Sequence, residues 1–176
     1  MNERFNKIFE YLLKVEGGYS NDKYDTGGKT KYGIIEVEAR KYGYKGHMRD
    51  MPLSIARDIY NKKYFKGNRL DEIVNSKISL SICDWIVNSG SWGAKKAQQA
   101  INIIQGRQVL IVDGKIGNNT LFALNNVDEK KFLEVYHELQ RKFYRSIVES
   151  RPTQQVFLKG WLNRVDRKEK YIKENL

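Results

Sequence analysis

A disulfide framework, a zinc centre and a membrane span are all out of reach for this chain. It has a single cysteine, Cys83, which excludes internal disulfides. That cysteine lies inside the apolar run "ISLSICDWIV" and reads as a buried core thiol, not a nucleophile. The two histidines, His47 and His137, stand far apart, without cysteines or acids at ligand spacing, so neither a metal nor any other cofactor is expected. No apolar stretch approaches the roughly 20 residues that a bilayer-spanning helix needs, which argues against stable membrane insertion. The opening "MNERFNKIFEYLLKVEGG" is amphipathic and charged, unlike a basic-then-apolar signal peptide, so synthesis and folding in the cytoplasm are expected. Prolines number only two, and no Ser, Gly or Gln tract marks a linker.

What is present supports a globular body. At 176 residues, with 40% apolar and 12% aromatic content, the chain can bury a core as one compact domain or as two lobes, which argues against disorder. Thirty-two basic residues against 21 acidic ones leave a net charge of +11, which favours a polyanionic partner. Nucleic acid, an anionic membrane and an acidic cell wall all qualify, and a solvated basic surface has the same composition.

Helical periodicity dominates. Phe5, Ile8, Phe9, Leu12 and Leu13 mark a first helix ending at Gly17-Gly18. A short strand is expected at "KYGII", then a helix from Val37 to about Tyr42. "DMPLSIARDIYNKKYF" reads as a helix with Pro52 in its first turn. Ile78, Ile82, Trp85 and Ile86 share a face closed by Gly90, and Ala94, Ala97, Ile101 and Ile104 another closed by Gly106. Beyond the Asp113-Gly114 turn pair, Asn118 or Asn119 is expected to cap a short helix. Phe132, Val135, Tyr136, Leu139, Phe143 and Ile147 form the stripe of a long helix. Phe157, Trp161 and Val165 mark the last one, with Arg164, Arg167, Lys168 and Lys170 expected toward solvent. The expected fold is mainly α, with roughly seven or eight helices and at most a small β element.

The first stripe continues to position 16, which is glutamate. A carboxylate on a buried stripe loses hydration, and the negative end of the helix dipole also disfavours an anion there. Both effects favour the neutral acid, the form a general acid needs. Asp25 follows nine positions later and Thr30 five after that, within a loop whose glycine pairs let it double back on Glu16. A protonated acid opposite an ionised aspartate suits acetal cleavage, with Thr30 holding water or orienting a carboxylate. The plain alternatives are an exposed last-turn glutamate and a turn aspartate bonded to its own backbone. "NDKYD" lacks the ligand alternation and distal glutamate of a calcium loop.

The stretch Glu16-Gly17-Gly18-Tyr19, Asn21-Asp22, Asp25, Gly27-Gly28, Thr30 and Gly33-Ile34 resembles the N-terminal signature of glycoside hydrolase family 108. That family comprises lysozyme-like N-acetylmuramidases of phages and bacteria. Lys23 departs from it, standing where many members carry proline, which bears on loop rigidity. "SLSICDWIVNSGSWGAKKAQQAIN" resembles the family's helix with Asp and Asn before a glycine turn. "VDGKIGNNTLFAL" resembles the peptidoglycan-binding segment usually fused behind it. The resemblance implies a lysozyme-like fold, Glu16 as catalytic acid, and Asp25 and Thr30 as its partners. The order Glu, Asp, Thr also resembles the triad of phage-type lysozymes, with one residue fewer between Asp and Thr.

A second polar line, Ser81, Asp84 and Asn88, runs beside the apolar face of its helix. Asp84 and Asn88 are candidates to bond sugar hydroxyls or acetamido groups, and Trp92 or Tyr32 to stack on a sugar ring; a structural Asp84 is the alternative. The expected organisation is a catalytic lobe over 1–85 and a helical wall-binding lobe over 86–176, packed as one monomeric body. The expected activity is hydrolysis of the β-1,4 bond between N-acetylmuramic acid and N-acetylglucosamine in bacterial peptidoglycan. A phage or prophage endolysin, held in the host cytoplasm until a holin releases it, fits the charge and the N-terminus. A non-catalytic wall-binding module and a basic nucleic-acid binder are the alternatives; no nucleic-acid partner is expected.

Overall fold

The structure is a computed structural model that describes residues 3–20 and 29–176. Helix α1 (Glu3–Glu16) buries Phe5, Ile8, Phe9 and Leu12, the side chains that its sequence spacing puts on one face. Three two-residue strands follow: β1 (Tyr19–Ser20), β2 (Thr30–Lys31) and β3 (Ile34–Ile35), antiparallel in the order β1-β2-β3. "KYGII" is therefore not one strand. Lys31 pairs with Ile34, so Tyr32 and Gly33 form a two-residue hairpin loop, with φ +54 and +73 respectively. Positive φ at both positions is the primed turn whose twist matches that of paired strands.

Helix α2 (Glu36–Lys41) leads through a 3-10 turn at Met48–Asp50 to α3 (Leu53–Ile59). Pro52 is the extended N-cap of α3, one step before the helical position expected for it. The helix then loosens into π register over Tyr60–Phe65. An i→i+5 ladder widens the turn and brings Tyr60 and Phe65 toward one side, which an α ladder would separate. Both rings thereby reach α1: Phe65 lies 5.2 Å from Phe5 and Tyr60 5.6 Å from Phe9. These elements make up a first compact unit, Met1–Asn68.

The second compact unit, Arg69–Leu176, holds α4 (Ser76–Ser89), α5 (Trp92–Gln105), α6 (Asn118–Asn126), α7 (Glu129–Ser150) and α8 (Gln155–Asn175). Asn75 caps α4 by accepting from the N–H groups of Lys77 and Ile78. From Ile78 to Ile86 every residue of α4 is buried, including Cys83, whose thiol burial pushes up and out of reactive range. Helices α4 and α5 approach so closely at Gly93 that a Cβ would stand 2.7 Å from both the Ile86 N and Cγ1. Helix α6 begins on Asn118 itself, after Gly117 as cap, not with an asparagine cap. Helix α7 packs on α5, α4 and α8.

Two faces differ from their sequence expectation. The buried side of α7 is Phe132, Tyr136, His137, Gln140 and Tyr144, while Val135, Leu139, Phe143 and Ile147 are only half-buried. On α8, Lys168 is completely buried and Arg164 is 11% exposed at its side chain. Position 168 lies one turn beyond Val165 on the Trp161–Val165 stripe, so its inward direction follows from helical spacing. None of the helices among the described residues is long and apolar enough to cross a membrane.

Candidate active site

Glu16 is the final residue of α1 and is half-buried. The hairpin turn rests against it. A Cβ at Gly33 would stand 2.8 Å from Glu16 Cβ, 3.1 Å from Glu16 Oε2 and 2.8 Å from Tyr60 Oη. Only a glycine combines that closeness with φ +73. The acid's side chain, the turn backbone and the Tyr60 hydroxyl thus crowd one point. Tyr60 is 1% exposed, and its hydroxyl donates to the Tyr32 carbonyl at 2.9 Å. Thr30 is half-buried on β2, paired with Ser20 and Ile35. Tyr32 is half-buried in the turn, with Lys31 Nζ 4.9 Å from its ring centre. Asp25 lies outside the described residues. Among the described residues, no group of three or more His, Cys, Asp or Glu side chains is gathered to hold a metal.

Asp84, Asn88 and Trp92 belong to the second unit. Asp84 has no exposed surface: Arg164 reaches its Oδ1 through Nε and Nη2 at 3.0 and 2.8 Å, and Lys168 Nζ lies 3.1 Å from Oδ2. Burial would raise this carboxyl, but Lys168 and Arg164 outweigh it and hold it below the ordinary aspartate range. Burial pulls Lys168 down against the opposing pull of Asp84. Where the sequence suggested a sugar ligand, the carboxylate instead faces two cations of α8. From Lys168 a chain of bonds runs outward. Its Nζ donates to Gln140 at 2.6 Å, Gln140 donates to Tyr144 at 3.0 Å, and Tyr144 donates to Asn88 at 2.7 Å. Asn88 is exposed, so its amide is where this buried chain meets solvent.

Trp92 is 44% exposed and packs on Phe143, with ring centres 5.3 Å apart. Lys95 and Lys96 place their ammonium groups 5.0 and 5.7 Å from its ring centre. The loop between α5 and α6 is pinned from inside. Gln98, 1% exposed, donates to Asp113 and to the Lys115 carbonyl and accepts from Gly114 N–H. Asn102 similarly accepts from Val109 and Leu110 and donates to the Leu110 carbonyl. The Asp113-Gly114 pair is therefore a fixed turn, with Ile111 left 75% exposed beside it.

Sequence reasoning missed Tyr60 and the two cations of Asp84. The "YG" pair between strand-forming residues signals the turn, and the 161, 165, 168 spacing signals Lys168. Nothing local signals the π register that aims Tyr60.

Residues 9–90 match the family model described as Glycosyl hydrolase 108, and residues 95–166 that described as Predicted Peptidoglycan domain. Residues 9–90 belong to glycosyl hydrolase family 108. The family 108 segment takes in Glu16, the hairpin, Tyr60 and all of α4, while most of α5, all of α6 and α7 and part of α8 fall in the peptidoglycan segment. A glycoside hydrolase segment followed by a peptidoglycan segment makes this chain a peptidoglycan hydrolase. Among solved structures, that of Brucella abortus SagA is similar, with 23% identity, a TM-score of 0.76, and coverage of 96% of this chain and 92% of that one. That likeness is one of fold. No curated relative matches the chain.

Proposed function

We propose that the chain is an N-acetylmuramidase that cleaves the β-1,4 bond between N-acetylmuramic acid and N-acetylglucosamine, with Glu16 as general acid. The supporting observation is the setting of Glu16, a half-buried carboxyl at a helix end with the backbone of a fixed turn against it. Glu16 gives its proton to the leaving glycosidic oxygen as that bond breaks. Water supplies hydroxide to the anomeric carbon, and its remaining proton returns to a carboxylate. Asp25 positions that water or steadies the developing positive charge, and Thr30 orients the water or a carboxylate. Asn88 and Trp92 contact the polymer, with Tyr32 beside the acid as a further sugar contact. Asp84 acts from inside, fixing α4 and, through Lys168, Gln140 and Tyr144, the amide of Asn88. The net charge of +11 suits an anionic wall, and release of phage progeny by lysis from within is the role that fits best.

The test is hydrolysis of purified peptidoglycan, followed by turbidity and by new reducing ends. Wild type is expected to clear it and to expose reducing N-acetylmuramic acid. Glu16→Gln is expected to bind the wall without clearing it. Equal clearing by both proteins removes Glu16 from the reaction. Binding without reducing ends in wild type leaves a wall-binding module.

A further inference from the structure

Tyr60 has no part in the chemistry proposed above, yet α1 and the hairpin turn both meet it. Its ring is anchored to α1 through Phe9, one ring centre 5.6 Å from the other. Phe9 precedes Glu16 by seven residues, about two turns along the same face. Its hydroxyl, at the far end of the ring, holds the carbonyl of Tyr32, a non-glycine residue at φ +54. The next residue, Gly33, is the one whose Cα lies against the Glu16 side chain. The π register over Tyr60–Phe65 is what turns this ring toward α1 while keeping Phe65 against Phe5. Such widened turns are uncommon and cluster at functional sites.

We infer that Tyr60 is a positioning residue for Glu16: its hydroxyl ties the Tyr32-Gly33 turn down so that Gly33 confines the acid's carboxyl to one orientation. The inference rests on Glu16 being the general acid. A glutamate side chain has three rotatable bonds, and a protonated carboxyl helps only when its O–H points at the leaving oxygen. With the hydroxyl removed, the Tyr32 carbonyl loses its buried donor and the turn is free to lift. Glu16 then samples orientations that do not reach the bond. Tyr32 rides on the same turn as a sugar contact, so a small change in KM accompanies the loss, which falls chiefly in kcat.

The deciding variant is Tyr60→Phe, which keeps the ring and its packing. Its control is Tyr64→Phe, which removes a hydroxyl from the adjoining ring, 5.3 Å away in the same π segment. Tyr60→Phe is expected to lower kcat on soluble peptidoglycan fragments by about 10-fold to 100-fold, with KM changed by no more than about twofold. The alkaline limb of its pH–rate profile, where a general acid loses its proton, is expected to move, because the carboxyl's surroundings change. Tyr64→Phe is expected to keep wild-type kcat and profile. Gly33→Ala supplies a second variant: it displaces the carboxyl directly, and adding Tyr60→Phe to it is expected to cost little more. Wild-type kcat and pH profile in Tyr60→Phe overturn the inference, as do equal losses in Tyr60→Phe and Tyr64→Phe, or fully multiplicative losses in the double variant. If Glu16→Gln is inactive while Tyr60→Phe is unchanged, this inference fails and the role of Glu16 stands. A wild type that releases no reducing ends removes the basis of both.

Discussion

Two carboxylates stand on the apolar faces of two helices, and the molecule treats them oppositely. Asp84 sits mid-helix, wholly buried, with an arginine and a lysine on its two oxygens. Glu16 sits at a helix end, half in solvent, with a glycine turn against it. The first arrangement sets both oxygens against internal cations, which favour the anion. The second leaves the carboxyl half-exposed beside a fixed turn, the setting that supports the general acid proposed above. A carboxylate on an apolar stripe is thus an ambiguous sign, and its partners decide whether it reacts or holds helices together.

Crossed substitutions sharpen the contrast most. Glu16→Gln is expected to lower hydrolysis by roughly 10²–10⁴-fold with the thermal midpoint nearly unchanged, as followed by reducing-end release and calorimetry. Asp84→Ala leaves Lys168 buried without its anion and is expected to cost about 3–5 kcal/mol. That corresponds to a midpoint lower by on the order of 10 °C. Activity of folded Asp84→Ala at low temperature should stay closer to wild type than that of Glu16→Gln. The reverse pattern, a stable but inactive Asp84→Ala, breaks the comparison.

Acidity probes the same unit more gently. Burial pushes His137 down to about 4, so near neutral pH its imidazole is uncharged; its Nδ1 lies 3.2 Å from Glu169 and its Nε2 3.0 Å from Ser81 Oγ. The bond from His137, then Arg141, holds Glu169 down at about 2. For both groups the folded form binds fewer protons than the unfolded chain. The His137 contribution is complete above about 6.5 and is lost as pH falls toward about 4. The Glu169 contribution is complete above about 4.5 and is lost toward about 2. Midpoints measured across pH 7 to 4 should therefore fall, and His137→Gln should flatten that fall. An unchanged slope in that variant assigns the acid sensitivity elsewhere.

The smallest effect is expected at Trp92. Its ring already has Lys95, Lys96 and Phe143 around it, so any sugar contact competes with the lysines. Trp92→Ala should raise KM by a few-fold, about 1 kcal/mol, with kcat kept. A fall in kcat with KM unchanged removes it from substrate binding.

Much of the fold was legible. The stripe of α1, the burial of Trp85 and Cys83, and the glycine ends of α4 and α5 all follow from local spacing. The inward face of α7 was not, because its buried positions include His137, Gln140 and Tyr144, which are polar side chains satisfied by distant partners. Polar residues join a core when bonds replace lost hydration, and those bonds come from α4 and α8, far away in sequence. Lys168 and Arg164 were read outward for the same reason: charge outweighed periodicity until Asp84 was placed opposite them.

By itself the sequence determined an α-rich, basic chain with a carboxylate where the first apolar stripe ends and a glycine-rich segment after it. Periodicity and turn chemistry are local, so one strand of text carries them. Only the tertiary structure decided that Asp84 is an internal anion and that Tyr60 and Gly33 meet at Glu16. Each of those depends on groups brought together across tens of residues, and on a π register fixed by the aromatic contacts it makes possible.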